Sequence, residues 1–565
     1  MAGPFPRLPR AWIRGGLVVA GLLLLALILL RPPGPAQITL HDVTPETRIT
    51  FQHTDGGCGR YYIMETVSAG LALLDYDGDG LVDIYFLNGS PLPGCQAETA
   101  PRSALYRNLG QWRFADVTDQ AGVGDTGYAL GVAAADYDND GDLDLFVNNY
   151  GPDCLYRNRG DGTFENVAAP AGVTGGDSVG AGAGFLDADR DGDLDLFVAN
   201  YLEFSEERHV SPTTRGVPVY VSPNHFPPGR NQLYRNNGDG SFTDISNAAG
   251  IGRDANWGMG LVCADYDNDG DTDVFVANDV ADNFLYENDG QGRFEEVALT
   301  AGVAYDVYGS PQGSMGVECG DYDNDGWLDF YQTSYQMQHA VLYRNLGGKT
   351  FEDVSFTTGA ATGTFAHVTW GSGLVDFDND GDRDLYVACG HLQVRVDEYD
   401  ASTTYCPRNL LLRNAGNGTF ADVSAQAGDG MLPAYSSRGA AFDDLDDDGR
   451  VDVVVLNSRS PPTVLSNTTA GRNRWIEVVL RGVGANRDGV GSRVTVTAGG
   501  TVQTAEVHAG RSYQSHFGTR LHFGLGACER AERIEIRWLG GGRQTLENVA
   551  AGQRVLVLED LRGTK

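Results

Sequence analysis

From Ile38 onward the chain alternates short apolar runs with polar, glycine-rich breaks, and the runs are shorter than a typical helix. Gly260 to Ala264 is a glycine-led apolar stretch, and Leu145-Phe146-Val147 is a β-branched and aromatic one. Runs of this length bounded by turn residues read as strands. A recurring segment such as LYRNRGDGTFENV, which begins at Leu155, joins two strands through an Asn-x-Gly turn and reads as a hairpin. The exception lies at the start of the chain. Gly15 to Leu30 carries no charge, with Arg7, Arg10 and Arg14 before it and Arg31 after it. An apolar core behind a basic flank directs the rest of a chain out of the cytoplasm. Residues 1–36 are expected to form a basic cytoplasmic tail with a membrane-anchor helix or a cleaved signal peptide. The remainder is then exported, either anchored at the cell surface or secreted into the periplasm or beyond.

Internal repetition decides the fold class. The pattern D-x-D-x-D-G-x-x-D occurs seven times, with starts 61, 51, 78, 56, 55 and 68 residues apart, and the hairpin segment follows each of the first six. One unit therefore holds a glycine-led strand, a β-branched strand and the two strands of a hairpin. Units of this kind predict an all-β chain in which residues 37–467 form a seven-bladed β-propeller, an arrangement that leaves few open sheet edges. The seventh unit has no fourth strand after Thr463 to Leu465, whereas Ile38 to Thr44 matches the missing one. The N-terminal strand 38–44 is thus expected to complete blade seven and close the ring. Alternation in Trp475 to Leu480 and Arg533 to Trp538 predicts a small β-sandwich over residues 473–560.

The loops carry the most specific chemistry. Aspartates fill the first, third, fifth and ninth positions in every copy. They are Asp75, Asp77, Asp79 and Asp83; Asp136, Asp138, Asp140 and Asp144; Asp187, Asp189, Asp191 and Asp195; and Asp265, Asp267, Asp269 and Asp273 in the first four loops. The last three loops supply Asp321, Asp323, Asp325 and Asp329; Asp376, Asp378, Asp380 and Asp384; and Asp444, Asp446, Asp448 and Asp452. Position six is always glycine, which permits positive φ, and position seven varies, as a residue does when only its carbonyl is needed. Oxygen donors in a tight loop suit a hard cation, and calcium fits better than magnesium, which keeps its waters and demands an octahedron. Zinc would call for His or Cys. An EF-hand needs Glu at position twelve, where these loops have Phe86, Gln332 and valines. Up to seven Ca²⁺ are expected, mainly as part of the framework.

Composition narrows the partners. The formal charge of −35 leaves the surface acidic even after seven divalent ions bind, which argues against nucleic acid as a partner. The eight cysteines include no C-x-x-C pair, and neither G-x-S-x-G nor H-E-x-x-H occurs. The commonest hydrolase and zinc-protease signatures are therefore missing.

The nine-residue loops and LYRN hairpins resemble FG-GAP/VCBS repeats, the units of the integrin α-subunit propeller. NRDGVGSRVTV from Asn486, LHFGLG from Leu521 and RIEIRWLGGGRQ from Arg533 resemble the ASPIC/UnbV domain. The combination is similar to the cartilage acidic protein family and its bacterial relatives. That resemblance implies an extracellular calcium-binding protein whose loop aspartates ligate Ca²⁺ on one face of the ring.

Loop parity places the second-to-third connections of each blade on the opposite face. The long ones run from Asn88 to Ala104, Tyr201 to Gln232 and Gly390 to Asn409, and long loops on a rigid scaffold commonly carry binding. Tyr220, His225, Phe226, His367 and His391 are the ligand-face candidates, set beside arginines that suit an acidic glycan. Cys389 with Cys406 and Cys58 with Cys95 are the candidate disulfides. The favoured reading is a calcium-binding adhesion or ligand-binding module, not an enzyme, with an extracellular protein or glycan as partner. The alternative is an extracellular enzyme that acts on a polymer, with His225, His367 and His391 converging on the calcium-free face.

Overall fold

The computed structural model describes residue 3, residues 37–68 and residues 70–560. The expected N-terminal tail and helix, residues 1–36, lie outside the described residues apart from Gly3. No described helix is long and apolar enough to cross a membrane.

The fold is a seven-bladed β-propeller followed by a small β-sandwich. In the first blade Leu71–Leu74, Asp83–Phe86, Ala104–Asn108 and Phe114–Asp116 pair in that order from the axis outward, all antiparallel. The ninth-position aspartate opens the second strand in every blade, so each acidic loop joins the innermost strand to its neighbour. Innermost strands are buried along their whole length, as in Tyr128–Ala135. Their glycines have a steric cause. A Cβ on Gly131 would stand 1.9 Å from the Ala181 carbonyl oxygen of the next blade.

The seventh blade is built from both ends of the propeller. Ser437–Asp443, Asp452–Asn457 and Thr463–Asn467 come from its C-terminal end, and Leu40–Asp42 adds the outermost strand. Leu40 lies opposite Asn467 and Asp42 opposite Leu465. Outside the sheet, the His41 imidazole meets Asp429 at 2.7 Å.

The C-terminal sandwich has a three-stranded sheet, Arg520–Gly526, Arg474–Arg481 and Gln553–Leu558, and a four-stranded one, Thr501–Glu506, Arg493–Ala498, Arg530–Arg537 and Arg543–Ala550. It does not stand apart. From Ile38 onward the described residues form one compact unit, and Ile476, Val494 and Phe523 of the sandwich share a core with Phe185 and Leu196 of the third blade. The segment between Thr501–Glu506 and Arg520–Gly526 enters the axis of the ring and touches the innermost strand of every blade. Leu73 N–H donates to the His516 carbonyl, Val132 N–H to that of Gln514 and Phe185 N–H to that of Ala509. His508 Nδ1 lies 2.8 Å from the Cys263 carbonyl, and Ser512 exchanges two backbone hydrogen bonds with Val317. Ser372 N–H donates to Ser512 Oγ, and the Phe517 ring packs 5.2 Å from Phe442. At the tip Tyr513 is fully buried against Trp370, at 4.9 Å, and donates to the Val67 carbonyl. The sandwich thus plugs the channel from the loop side.

Candidate metal centres

Each acidic loop is shaped by hydrogen bonds from its own backbone to its own carboxylates. The glycine N–H at position six donates to the first aspartate, as from Gly80 to Asp75 Oδ2 at 2.9 Å and from Gly449 to Asp444 Oδ2 at 2.7 Å. The N–H of position seven donates to the fifth, as from Asp142 to Asp140 Oδ1 at 3.0 Å. Position four adopts positive φ as well as position six, for example Asn139 at 60° and Gly141 at 105°. Gly, Asn, Arg and Asp fill position four, a composition weighted to residues that tolerate the left-handed region. That signal was readable in the sequence beside the invariant glycine.

The aspartate at position nine serves the frame. Its Oδ2 accepts from the second residue of the loop, and its Oδ1 accepts from the hairpin asparagine, as from Tyr137 and Asn158 to Asp144 at 3.1 and 2.7 Å. Sequence reasoning treated that asparagine as part of a turn and missed its larger role. Asn158 Nδ2 also donates to the carbonyl of Tyr76, in the loop of the preceding blade, at 2.8 Å. Asn236, Asn288, Asn345, Asn414 and Asn467 repeat the bond to Tyr137, Ala188, Tyr266, Tyr322 and Phe377. Asn108 returns it to Leu445 of the last blade. A belt of amide bonds therefore links the acidic loops around the ring.

What remains in each loop is a buried carboxylate oxygen with no hydrogen-bond partner. These are Oδ1 of Asp75, Asp138, Asp189, Asp265, Asp323, Asp378 and Asp446, at least one in every loop, with Asp271 Oδ1 as a second in the fourth. The position has a local cause. In five loops the fifth residue's N–H bonds the first aspartate and leaves Oδ1 of the third without a donor, as Asp140 does with Asp136. In the first and fourth loops Asp79 and Asp269 bond the third instead, which frees Asp75 and Asp265. Ligand oxygens of Asp136, Asp138 and Asp144 lie within 4.8 Å of one another, as do those of Asp75, Asp77 and Asp83. Burial, reinforced by neighbouring carboxylates, pushes Asp136 up to about 7 and Asp83 up to about 8. A buried acceptor oxygen without a donor, set among other carboxylate oxygens, is costly unless a cation joins them. The donor set fits a hard divalent ion, with the first, third, fifth and ninth aspartates and the position-seven carbonyl as its holders.

Residues 75–147, 136–198, 219–276, 265–332 and 376–455 match the FG-GAP-like repeat, and together these stretches make up more than half of the chain. The chain belongs to the FG-GAP-like repeat family. Residues 482–562 match the ASPIC and UnbV family. Cartilage acidic protein 1 of Homo sapiens is 24% identical over 560 residues, covering 94% of this chain and 68% of that protein. Its counterpart in Mus musculus is 25% identical over 526 residues, covering 87% and 73% respectively. Among solved structures, a lectin from Burkholderia pseudomallei aligns with a TM-score of 0.45 at 10% identity, covering 72% of this chain and 98% of that one.

In this FG-GAP propeller the sandwich covers part of the loop face. Arg537 bonds Asp265, Asp136 N–H donates to Asp488 at 2.7 Å, and Arg520 donates to the Gly80 carbonyl at 2.6 Å. Arginines of the hairpins also lie against the loops, as Arg344 does on Asp323 and Asp325 and Arg413 on Asp378 and Asp380. On the opposite face the blade-three insert folds across the ring. Arg215 donates to the Tyr399 carbonyl at 2.8 Å, and the Tyr220 and Tyr61 rings lie 5.2 Å apart.

Three expectations for that face change. Phe226 is buried and packs 5.4 Å from Phe204, so it holds the insert together. Tyr220 is buried too, with its hydroxyl on Glu65 at 2.9 Å, and it also lines a cavity. The histidines do not form a shared metal site. His391 is buried, with Nε2 on Gln336 Oε1 at 3.1 Å and Nδ1 accepting from Gln393 N–H at 2.9 Å. Both ring nitrogens are engaged, leaving no lone pair for an ion. His225 is exposed and bonds the Arg208 carbonyl within its own insert, and His367 is half-buried, where burial lowers its pKa.

The cysteines also divide. Cys58 and Cys95 form a disulfide. Cys389 and Cys406 are free thiols, contrary to the sequence expectation. Cys389 ends the strand Asp384–Cys389 with its side chain packed into the blade-six core, while Cys406 stays half-buried in the connection.

Proposed function

We propose that this chain is an exported, calcium-stabilised propeller that works as an adhesion or ligand-binding module at the cell surface or outside the cell. The observation that carries the reading is the buried, unpartnered carboxylate oxygen repeated in every loop. A repeat that needed only a turn has no reason to bury an acceptor seven times without a donor. Calcium supports function here through rigidity: the ions tie the innermost strand of each blade to the next, and the sandwich locks the same face. That leaves the other end, with its folded-over insert and long connections, as the side that meets a partner.

Export is supported by the basic-flanked apolar run in residues 1–36 and by the Cys58–Cys95 disulfide. The partner is proposed to be an extracellular protein or glycan. Calorimetric titration of the calcium-depleted protein tests the reading by counting ions. About one ion per loop, up to seven, is expected, with magnesium a poor competitor. Absence of calcium uptake would remove the basis of the proposal.

A further inference from the structure

The end of the axis away from the acidic loops holds a cavity of about 240 Å³. Its floor comes from the ring, with Trp370, Met259 and Met315, and its roof from the blade-three insert at Tyr220 to Pro223 and from Leu392 and Gln393. The walls are mostly apolar and aromatic, and Asp279 is the only carboxylate among them; no Arg, Lys or His of the described residues lines the cavity. Asp279 lies near the end of Asp273–Ala281 and is only 6% exposed. Its Oδ2 accepts a hydrogen bond from the Tyr201 hydroxyl at 2.8 Å. Among the described residues no cation pairs with it, and burial pushes it up to about 7.

A second feature marks the same wall. Val280 has a φ of 55° and is 37% exposed. A β-branched residue rarely enters the left-handed region, and strain of this kind gathers at binding sites. The backbone is therefore bent against its preference at the residue next to the unpaired acid.

We propose that this cavity binds an organic ammonium ion, with the apolar stem between the aromatic walls and the charged nitrogen against Asp279. In its ionised form the Asp279 carboxylate supplies the charge that only a cation can match, with Tyr201 and Tyr335 lining the same cavity, while the Trp370 ring is already taken by the Arg438 guanidinium at 4.1 Å. A neutral sugar fits less well. It needs several free polar groups, whereas Gln393 is spent on the backbone of Tyr220 and Gln338 Oε1 on Gly313 N–H. The ammonium group comes either from a free amine or from a lysine side chain of a partner. The inference rests on the reading of this end as the ligand face.

The test is calorimetric titration of the calcium-saturated protein with benzylammonium, benzyl alcohol and Nα-acetyl-lysine methylamide. Benzylammonium is expected to bind at least about tenfold more tightly than the alcohol, a difference typical of a charge-assisted hydrogen bond. Asp279→Asn should abolish that preference. Lysine amide binding as tightly as benzylammonium assigns the site to a partner's side chain, and weaker binding assigns it to a free amine. Equal affinity for amine and alcohol in the unmodified protein overturns the proposal without any variant, as does no binding of either. Ion counting on the same sample separates the two readings. Full calcium uptake with no ammonium binding defeats this inference alone, whereas no calcium uptake defeats the framework beneath it.

Discussion

Asn108 Nδ2, in the first blade, donates to the carbonyl of Leu445, in the seventh, at 2.9 Å across 337 residues of chain. It is the last link in the belt, and it acts beside the strand pairing of Leu40–Asp42 with Thr463–Asn467. The same amide also donates to the Val82 carbonyl at 3.0 Å. Asn108→Ala leaves both buried carbonyls without this donor. The expected loss is about 1–3 kcal/mol per unsatisfied group, read as a lower midpoint in urea with an unchanged slope. An unchanged midpoint would mean that the belt is incidental to closure.

Positions within one loop should differ sharply. In the second loop Asp138 Oδ1 is the unpartnered atom, whereas Asp142 sits at position seven, where the carbonyl is the expected ligand. Asp138→Ala, which removes the oxygen altogether, should reduce the ion count by one. Asp142→Asn should leave it as in the unmodified protein. Equal counts in both variants would show that the third aspartate is not a ligand.

Much of this was legible in the sequence because the repeat is local. Aspartates at alternate positions and a glycine at the sixth constrain one short loop, so their spacing is visible without knowledge of the fold. Ile38 to Thr44 was recognisable as a displaced strand because it repeats the same pattern. The belt was hidden for the opposite reason: Asn158 and Tyr76 meet only when blades pack side by side, and an Asn-x-Gly turn already explains the residue. The plug has no periodicity, and the need for Tyr513 appears only once seven strands surround it. Cys389 and Cys406 are close in sequence, yet strand register turns Cys389 into the blade core.

The plug should bind sandwich and propeller into one cooperative unit. Tyr513 is fully buried on the axis, and truncating a large buried aromatic costs about 3–5 kcal/mol. Tyr513→Ala is expected to lower the calorimetric transition and to separate it into two steps, since the sandwich loses its anchor. A single transition at the original temperature would show that the plug adds nothing to cohesion.

Acid should loosen the same segment. His516 is fully buried, Ala134 N–H donates to its Nδ1 at 3.3 Å, and burial, with Arg511 adding to it, holds its pKa down to about 3 against an ordinary 6.5. The unfolded chain therefore takes up a proton below 6.5 that the folded chain refuses until about 3. This group leaves stability unchanged above pH 6.5 and erodes it as the pH falls from 6.5 toward 3. His516→Asn keeps an acceptor for Ala134 without a titrating ring. In saturating calcium, the variant's stability should fall less steeply over that window, by up to about 1.4 kcal/mol per pH unit. Parallel pH profiles would place the acid sensitivity elsewhere.

Calcium, on this reading, completes the acidic loops and is part of the fold. The most direct test is thermal unfolding of the protein in millimolar calcium and again in a chelator. A site filled at 100 times its dissociation constant adds about 2.7 kcal/mol, so several filled loops should raise the melting temperature by many degrees. That large shift is the predicted result, reversed when the chelator is added. The same melting temperature in both solutions would contradict a structural role for the ions.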